Sequence, residues 1–162
     1  MEAWNAWFAA VEAWQPVVAL RGSTWAYPLV SWLHLLGIAL LFGTIAVVDL
    51  RLAGGLLRLD DAALQRTLVP LSLAGFVLAA LSGLLLFAPA AREYLSNPWF
   101  AAKLALIAAA ALNALALHLA SRRPRRRSPD PHPTSRHGRL AGVLSLGLWA
   151  TVMLAGRMLA FG

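Results

Sequence analysis

The sequence predicts an all-α membrane protein: a polytopic four-helix bundle, up-down-up-down, preceded by an amphipathic interfacial helix. Composition is the first sign. The 162 residues are 60% hydrophobic and 13% charged, whereas soluble domains average about 45–50% apolar and about 25% charged. The second is four apolar stretches, approximately 26–48, 67–89, 98–120 and 140–161, each near the ~20 residues that cross ~30 Å of hydrocarbon. The third is what separates them: Arg51 to Arg66, Pro89 to Pro98, and a long Arg/Pro/Ser segment, all polar or helix-breaking.

The N-terminal element comes first in the chain. Trp4, Trp7, Phe8, Val11 and Trp14 recur at the spacing of one helix face. Tryptophan prefers the headgroup region, so within segment 1–22 residues 3–19 read as one helix lying on the membrane surface, as an anchor or lid. The start has no basic stretch and carries Glu2 and Glu12, which is unlike a cleaved signal peptide.

Span one, 26–48, is followed by a loop with Arg51, Arg58 and Arg66. Span two, 67–89, carries Gly75, Ala79 and Gly83 at four-residue spacing, a small-residue stripe that lets helix backbones approach closely, within the chain or between chains. Span three, 98–120, is rich in alanine and reads as the hairpin partner of span two. Span four, 140–161, sets Gly142, Ser145, Trp149, Met153 and Gly156 toward one face. The four spans make one bundle over 26–161.

Loop charge orients the bundle. Seven of the fourteen Lys/Arg residues fall between Arg122 and Arg139, whereas the second loop carries only Arg92 beside Glu93. The positive-inside rule puts loops one and three in the cytoplasm and both termini outside. Segment 121–139, with Pro124, Pro129, Pro131 and Pro133 among its arginines, reads as a flexible cytoplasmic loop. Its Arg125, Arg126 and Arg127 suit anionic headgroups of the lipid bilayer. No aromatic residues interleave with them for stacking, which disfavours nucleic acid as a partner. The absence of cysteine removes disulfides, thiolate metal sites and cysteine nucleophiles.

Ionisable residues inside spans are costly and normally face protein, a water-filled cavity or a bound group. Counting along the helices, His34 lies about 12 Å below the outer face, Ser82 about 10 Å, Lys103 about 8 Å and Arg157 about 6 Å. Lys103 and Arg157 can reach the headgroups by snorkelling. His34 is too short for that, and either hydrogen-bonds a neighbouring helix or serves a ligand. Met153, also about 12 Å deep, is a candidate second ligand for haem iron or copper, and so His34 and Met153 form a candidate metal pair. Lys103 and Arg157 suit two propionates or another anion, while Ser82 with His34 suits a quinone headgroup. His118 falls roughly 18 Å from His34 along the membrane normal, too far to ligate the same iron. It sits instead beside Asp49, as a candidate polar pair at the inner rim.

The run from Ser31-Trp32-Leu33-His34-Leu35-Leu36-Gly37 to Asp49-Leu50-Arg51-Leu52 resembles an uncharacterised family of small four-span bacterial membrane proteins, a domain of unknown function. So do Ser82 to Phe87, Asn97-Pro98-Trp99-Phe100 with Lys103, Asn113 with His118, and Ser145-Leu146 through Gly156-Arg157. That resemblance implies the bacterial inner (cytoplasmic) membrane and brings no activity with it. More distantly, His34 followed by Leu35-Leu36-Gly37 is similar to the copper-resistance D-type and cytochrome b561-type bundles. The chain departs from the latter in lacking two histidine pairs at matched depth.

Three functions accommodate these residues. One is a small accessory or cofactor-binding module with haem b, quinone or copper at an outer-leaflet site around His34. Another is a transporter or permease-like unit for a metal or anion, with Asp49 and His118 as its inner gate. The last is a purely structural subunit of a homo-oligomer or larger membrane complex. Hydrolase chemistry is disfavoured, because no nucleophile–base set, paired intramembrane carboxylates or phosphate loop occurs.

Overall fold

Pro16 divides the N-terminal segment whose tryptophan spacing suggests a single helix. Proline lacks the backbone donor and crowds the carbonyl four residues earlier, so a helix stops short of it. In the computed structural model, which describes residues 2–55, 61–121 and 136–159, α1 spans Glu2–Glu12 and α2 spans Gln15–Gly22. Trp14 between them is extended, and Pro16 falls in the first turn of α2, where its missing N–H costs no hydrogen bond. The single interfacial helix expected is therefore two short ones. Phe8 faces the bundle, while Trp7 and Trp14 are exposed.

The remaining helices are α3 (Ala26–Ala53), α4 (Asp61–Phe87), α5 (Ala91–Ser96), α6 (Pro98–Ser121) and α7 (Arg136–Met158), with a 3₁₀ turn at Ala88–Ala90. No strand occurs among the described residues. Among the described residues, four segments are long and apolar enough to cross a membrane: Ala26–Ala53, Arg66–Ser96, Pro98–Leu117 and Gly138–Met158. The chain is a multi-pass membrane protein built as an all-α bundle. Leu35, Leu73, Leu84, Leu112 and Leu140 are each more than half exposed, as lipid-facing side chains must be.

Local chemistry sets the helix ends. The Ser23 hydroxyl accepts the Ala26 N–H at 3.0 Å and so caps the start of α3. Gly54 ends α3 with φ +95°, a left-handed turn that glycine adopts without strain, and the Gly55 N–H reaches back to the Leu50 carbonyl at 2.9 Å. Arg139 of α7 donates Nε–H to the Ala53 carbonyl at 3.2 Å, placing a cation at the negative end of α3. Asn97 accepts the Trp99 N–H at 2.9 Å with Pro98 in the first turn, which starts α6.

The helices form an open ring in the order α4, α3, α7, α6, with close packing of α3 on α4, α3 on α7 and α6 on α7. A Cβ added to Gly37 would lie 2.6 Å from the Ala79 nitrogen, and one added to Gly75 would lie 2.6 Å from the Leu41 nitrogen. The small-residue stripe of α4 thus packs within the chain, against Gly37 of α3. The hairpin expected of α4 and α6 does not close, because almost no close backbone approach links them. Rings hold their ends apart: Phe87 and Phe100 stack at 5.3 Å, and Tyr94 adjoins both. The core is Leu41, Ala110, Trp149 and Val152, with Phe76, Leu106 and Ile107 packed on it.

α1 and α2 cap the end of the bundle where α5 and the 3₁₀ turn connect α4 to α6. Phe8 meets Phe87 edge-on at 6.3 Å, and Arg92 grips Glu12 with its backbone N–H at 2.9 Å, Nε at 2.9 Å and Nη2 at 2.7 Å. Hydrogen bonds from Arg92 hold the Glu12 carboxyl below the ordinary glutamate range. The clasp is therefore intact at neutral pH and is lost as pH falls through that depressed value. The protection factors of the α1 amides, that is, exchange corrected for its intrinsic pH dependence, are expected to fall once pH drops below the ordinary glutamate range and, in Arg92→Ala, to be low already at neutral pH. Unchanged protection in both would remove the clasp as the cause of capping.

Candidate functional site

His34 falls on the inward arc of α3 with Gly37, Leu41 and Thr44, which are all buried, yet the imidazole itself is only half-buried. Its Nδ1–H donates to the Ala79 carbonyl of α4 at 2.8 Å and is shared with Ser82 Oγ at 3.2 Å. A carbonyl only accepts, so Nδ1 carries the proton in this arrangement. The Ser82 hydroxyl, 4% exposed, spends its own proton on the Leu78 carbonyl at 2.6 Å. Nε2 takes no hydrogen-bond partner among the described residues and remains available as a lone pair.

Gly83 makes the bed for that ring. A Cβ there would lie 3.0 Å from His34 Cε1 and 3.4 Å from Nδ1. The sequence marks Gly83 only as part of a packing stripe. Its second role, as the surface under an imidazole, follows from the register of α3 on α4. Gly37 has a comparable role: its close approach to Ala79 brings the Ala79 carbonyl to His34.

Lys103 of α6 lies across α7, its Cε and Nζ each 3.6 Å from where a Gly156 Cβ would be. Its ammonium is within electrostatic range of the His34 ring. His34 and Ser82, two of the site residues read from depth, are in direct contact beside Gly83, whereas Lys103 packs on Gly156 and acts on the imidazole only through its charge.

Met153 and Arg157 do not join them on the buried side of α7. Met153 is 45% exposed and Arg157 is exposed, whereas Gly142, Ser145, Trp149, Val152 and Ala155 are buried. At 100° per residue the inward arc centres near Ser145 and Gly156, and Met153 sits on its flank. The face expected to carry Met153 inward carries Val152 instead. Among the described residues no three His, Asp or Glu side chains stand together as a metal-binding group.

A second polar group lies toward the opposite end, about 22 Å from His34 along α3, with the Leu41–Trp149 core between them. Asp49 is 5% exposed and its carboxylate accepts a hydrogen bond from Ser145 of α7. Its Oδ2 and the Trp149 Nε1–H have no partner among the described residues. Asn113 of α6 donates to the Ala141 carbonyl at 3.1 Å, close by on α7. The His118 side chain, expected beside Asp49, lies outside the described residues, as does segment 122–135 of the Arg/Pro-rich loop. The chain matches no protein-family model, no curated protein and no solved structure.

Proposed function

We propose that this membrane protein is a small accessory module whose His34 site binds the headgroup of a quinone-class carrier. One observation carries the reading: Nδ1 of His34 is committed to the Ala79 carbonyl, which leaves Nε2 for a ligand, with the charge of Lys103 felt at the ring. A quinone carbonyl accepts a hydrogen bond from Lys103, and a quinol hydroxyl donates to Nε2. Ser82 and Gly83 fix the ring and exclude bulk behind it. Haem b and copper readings need a second ligand at the depth of His34, and Met153 is the residue they rely on; its exposed position favours the quinone. The charge of the loops supports an orientation with α1 and α2 outside and the arginine-rich loops in the cytoplasm of a bacterial inner membrane.

The test is decylubiquinone titrated into the protein in phosphatidylcholine nanodiscs, alongside quinone, haem and metal analysis of gently purified material. Saturable binding that weakens about tenfold in His34→Ala, the loss of one good polar contact, supports the proposal. A Soret band or bound copper that disappears in the same variant, with no quinone binding, overturns it.

A further inference from the structure

Away from His34, charged residues converge at the capped end of the bundle, just beyond Phe87, where the apolar run of α4 stops. A cavity of about 240 Å³ opens there, lined by Glu12, Arg21, Pro89, Ala90, Arg92 and Glu93. Pro89 is buried and Ala90 half-buried, so part of the wall is apolar and firmly packed. Four charges stand around the space, two of each sign. Glu12 and Arg92 answer one another through the clasp. Arg21 and Glu93 are exposed and, among the described residues, form no ion pair with each other or with the clasp. The Arg21 charge is nevertheless felt at the Glu12 carboxyl, which keeps it within electrostatic range of the cavity's acidic side. A cation and an anion thus share one cavity without closing on each other.

The level of the cavity says what it meets. α2, which carries Arg21, is flanked in the chain by Trp14 and Trp25, 64% and 85% exposed. Trp99, at the start of α6 beyond the cavity, is also exposed. Exposed indoles settle where hydrocarbon gives way to headgroups. From this arrangement we infer that the cavity binds the headgroup of a phospholipid bearing a primary amine, of the phosphatidylethanolamine class. The Arg21 guanidinium donates N–H bonds to the phosphate oxygens, and the Glu93 carboxylate accepts N–H bonds from the ammonium. The space equals roughly eight water volumes, room for one phosphoethanolamine group. A trimethylammonium headgroup has no N–H to offer Glu93, and a glycerol headgroup brings no positive charge to it. The site is separate from His34 and does not depend on what binds there.

The experiment is native mass spectrometry of detergent-purified protein titrated with palmitoyl-oleoyl phosphatidylethanolamine, phosphatidylcholine or phosphatidylglycerol. Wild type is compared with Arg21→Ala and Glu93→Gln, both at exposed positions, and with Arg66→Ala, an exposed arginine near the far end of α4, as control. In wild type, phosphatidylethanolamine is expected to bind about fivefold tighter than either other lipid, the scale of one solvated ion pair. Glu93→Gln is expected to erase that preference. Arg21→Ala is expected to weaken all three lipids by about threefold, while Arg66→Ala behaves as wild type. Equal affinity for the three lipids in wild type overturns the site, as does a preference that neither Arg21→Ala nor Glu93→Gln alters. A preference for phosphatidylglycerol that Arg21→Ala removes and Glu93→Gln leaves makes the cavity a plain anion site and overturns the inference. Tailless glycerophosphoethanolamine is expected to displace the bound lipid where equimolar inorganic phosphate does not. Equal displacement by both also overturns it.

A second measurement keeps the protein in a bilayer. Amide protection of α2 is expected to rise when phosphatidylethanolamine is added to phosphatidylcholine nanodiscs, in wild type and not in Glu93→Gln. Protection of α2 that is indifferent to the added lipid, or that rises equally in Glu93→Gln, overturns the inference.

Discussion

Gly37→Leu is expected to cost the bundle about 3 kcal/mol, the upper part of the usual range for overpacking. A Cβ at this position would meet the Ala79 nitrogen at 2.6 Å, its Cα at 3.0 Å and the Gly75 carbonyl oxygen at 3.0 Å. All three are backbone atoms, so no rotamer change relieves the contact and α3 and α4 must separate. Separation also pulls the Ala79 carbonyl from His34 Nδ1, so the same variant is expected to lose ligand binding. Gly75→Leu should behave alike, with its Cβ 2.6 Å from the Leu41 nitrogen. Gly43→Leu and Gly147→Leu are the contrast, since nothing lies within 4 Å of a Cβ at either position. Both should be neutral or stabilising, because glycine costs ~1 kcal/mol in a helix interior. Unfolding of detergent-purified protein in a graded dodecyl sulfate titration measures the difference. Equal effects at Gly37 and Gly43 would refute intrachain packing of the α4 stripe.

Ser145→Ala is expected to cost about 1–3 kcal/mol, the usual result of leaving a buried acceptor unsatisfied. Asp49 is 5% exposed and already has one oxygen without a partner among the described residues. Removing the Ser145 hydroxyl takes away the hydrogen bond its carboxylate receives from α7. The double variant Asp49→Leu/Ser145→Ala should recover that loss or exceed wild-type stability, because an apolar pair has nothing to desolvate. The same titration reads this, and a double variant less stable than Ser145→Ala alone would show that Asp49 holds the bundle by another contact. Neither variant is expected to alter decylubiquinone affinity, since the apolar core separates Asp49 from His34.

Much of the architecture is legible in the chain. Apolar runs of spanning length, broken by Arg, Pro and Gly, specify that there are four long helices, although α3 runs on to Ala53 and α4 begins at Asp61, beyond the apolar stretches. Lipid accepts no unpaired backbone, so such a run has little choice but helix. Helix boundaries follow from single residues with one physical function, as with Ser23, Gly54 and the Asn97-Pro98 pair. Pro16 carried the break between α1 and α2 in the same way, and the tryptophan periodicity masked it. Depth is legible too: residue counting puts His34 and Ser82 at one level, and the two meet at 3.2 Å.

Azimuth and neighbour order are another matter. A residue count measures height along the membrane normal and carries no information on which helix stands beside which. Depth put Asp49 near the inner rim but carried no sign of Ser145, whose hydrogen bond reaches Asp49 because α7 is packed on α3. Depth matched Met153 to His34, and a flank position on α7 leaves Met153 exposed. Sequence adjacency suggested an α4–α6 hairpin, and close contact went instead to α3 with α4 and α3 with α7. The sequence by itself determined that this chain crosses a membrane four times as helices and which polar groups share a level. Only tertiary structure decided which of those groups meet, because that depends on where glycines let two backbones pack with no room for a Cβ between them and where rings stand between two others.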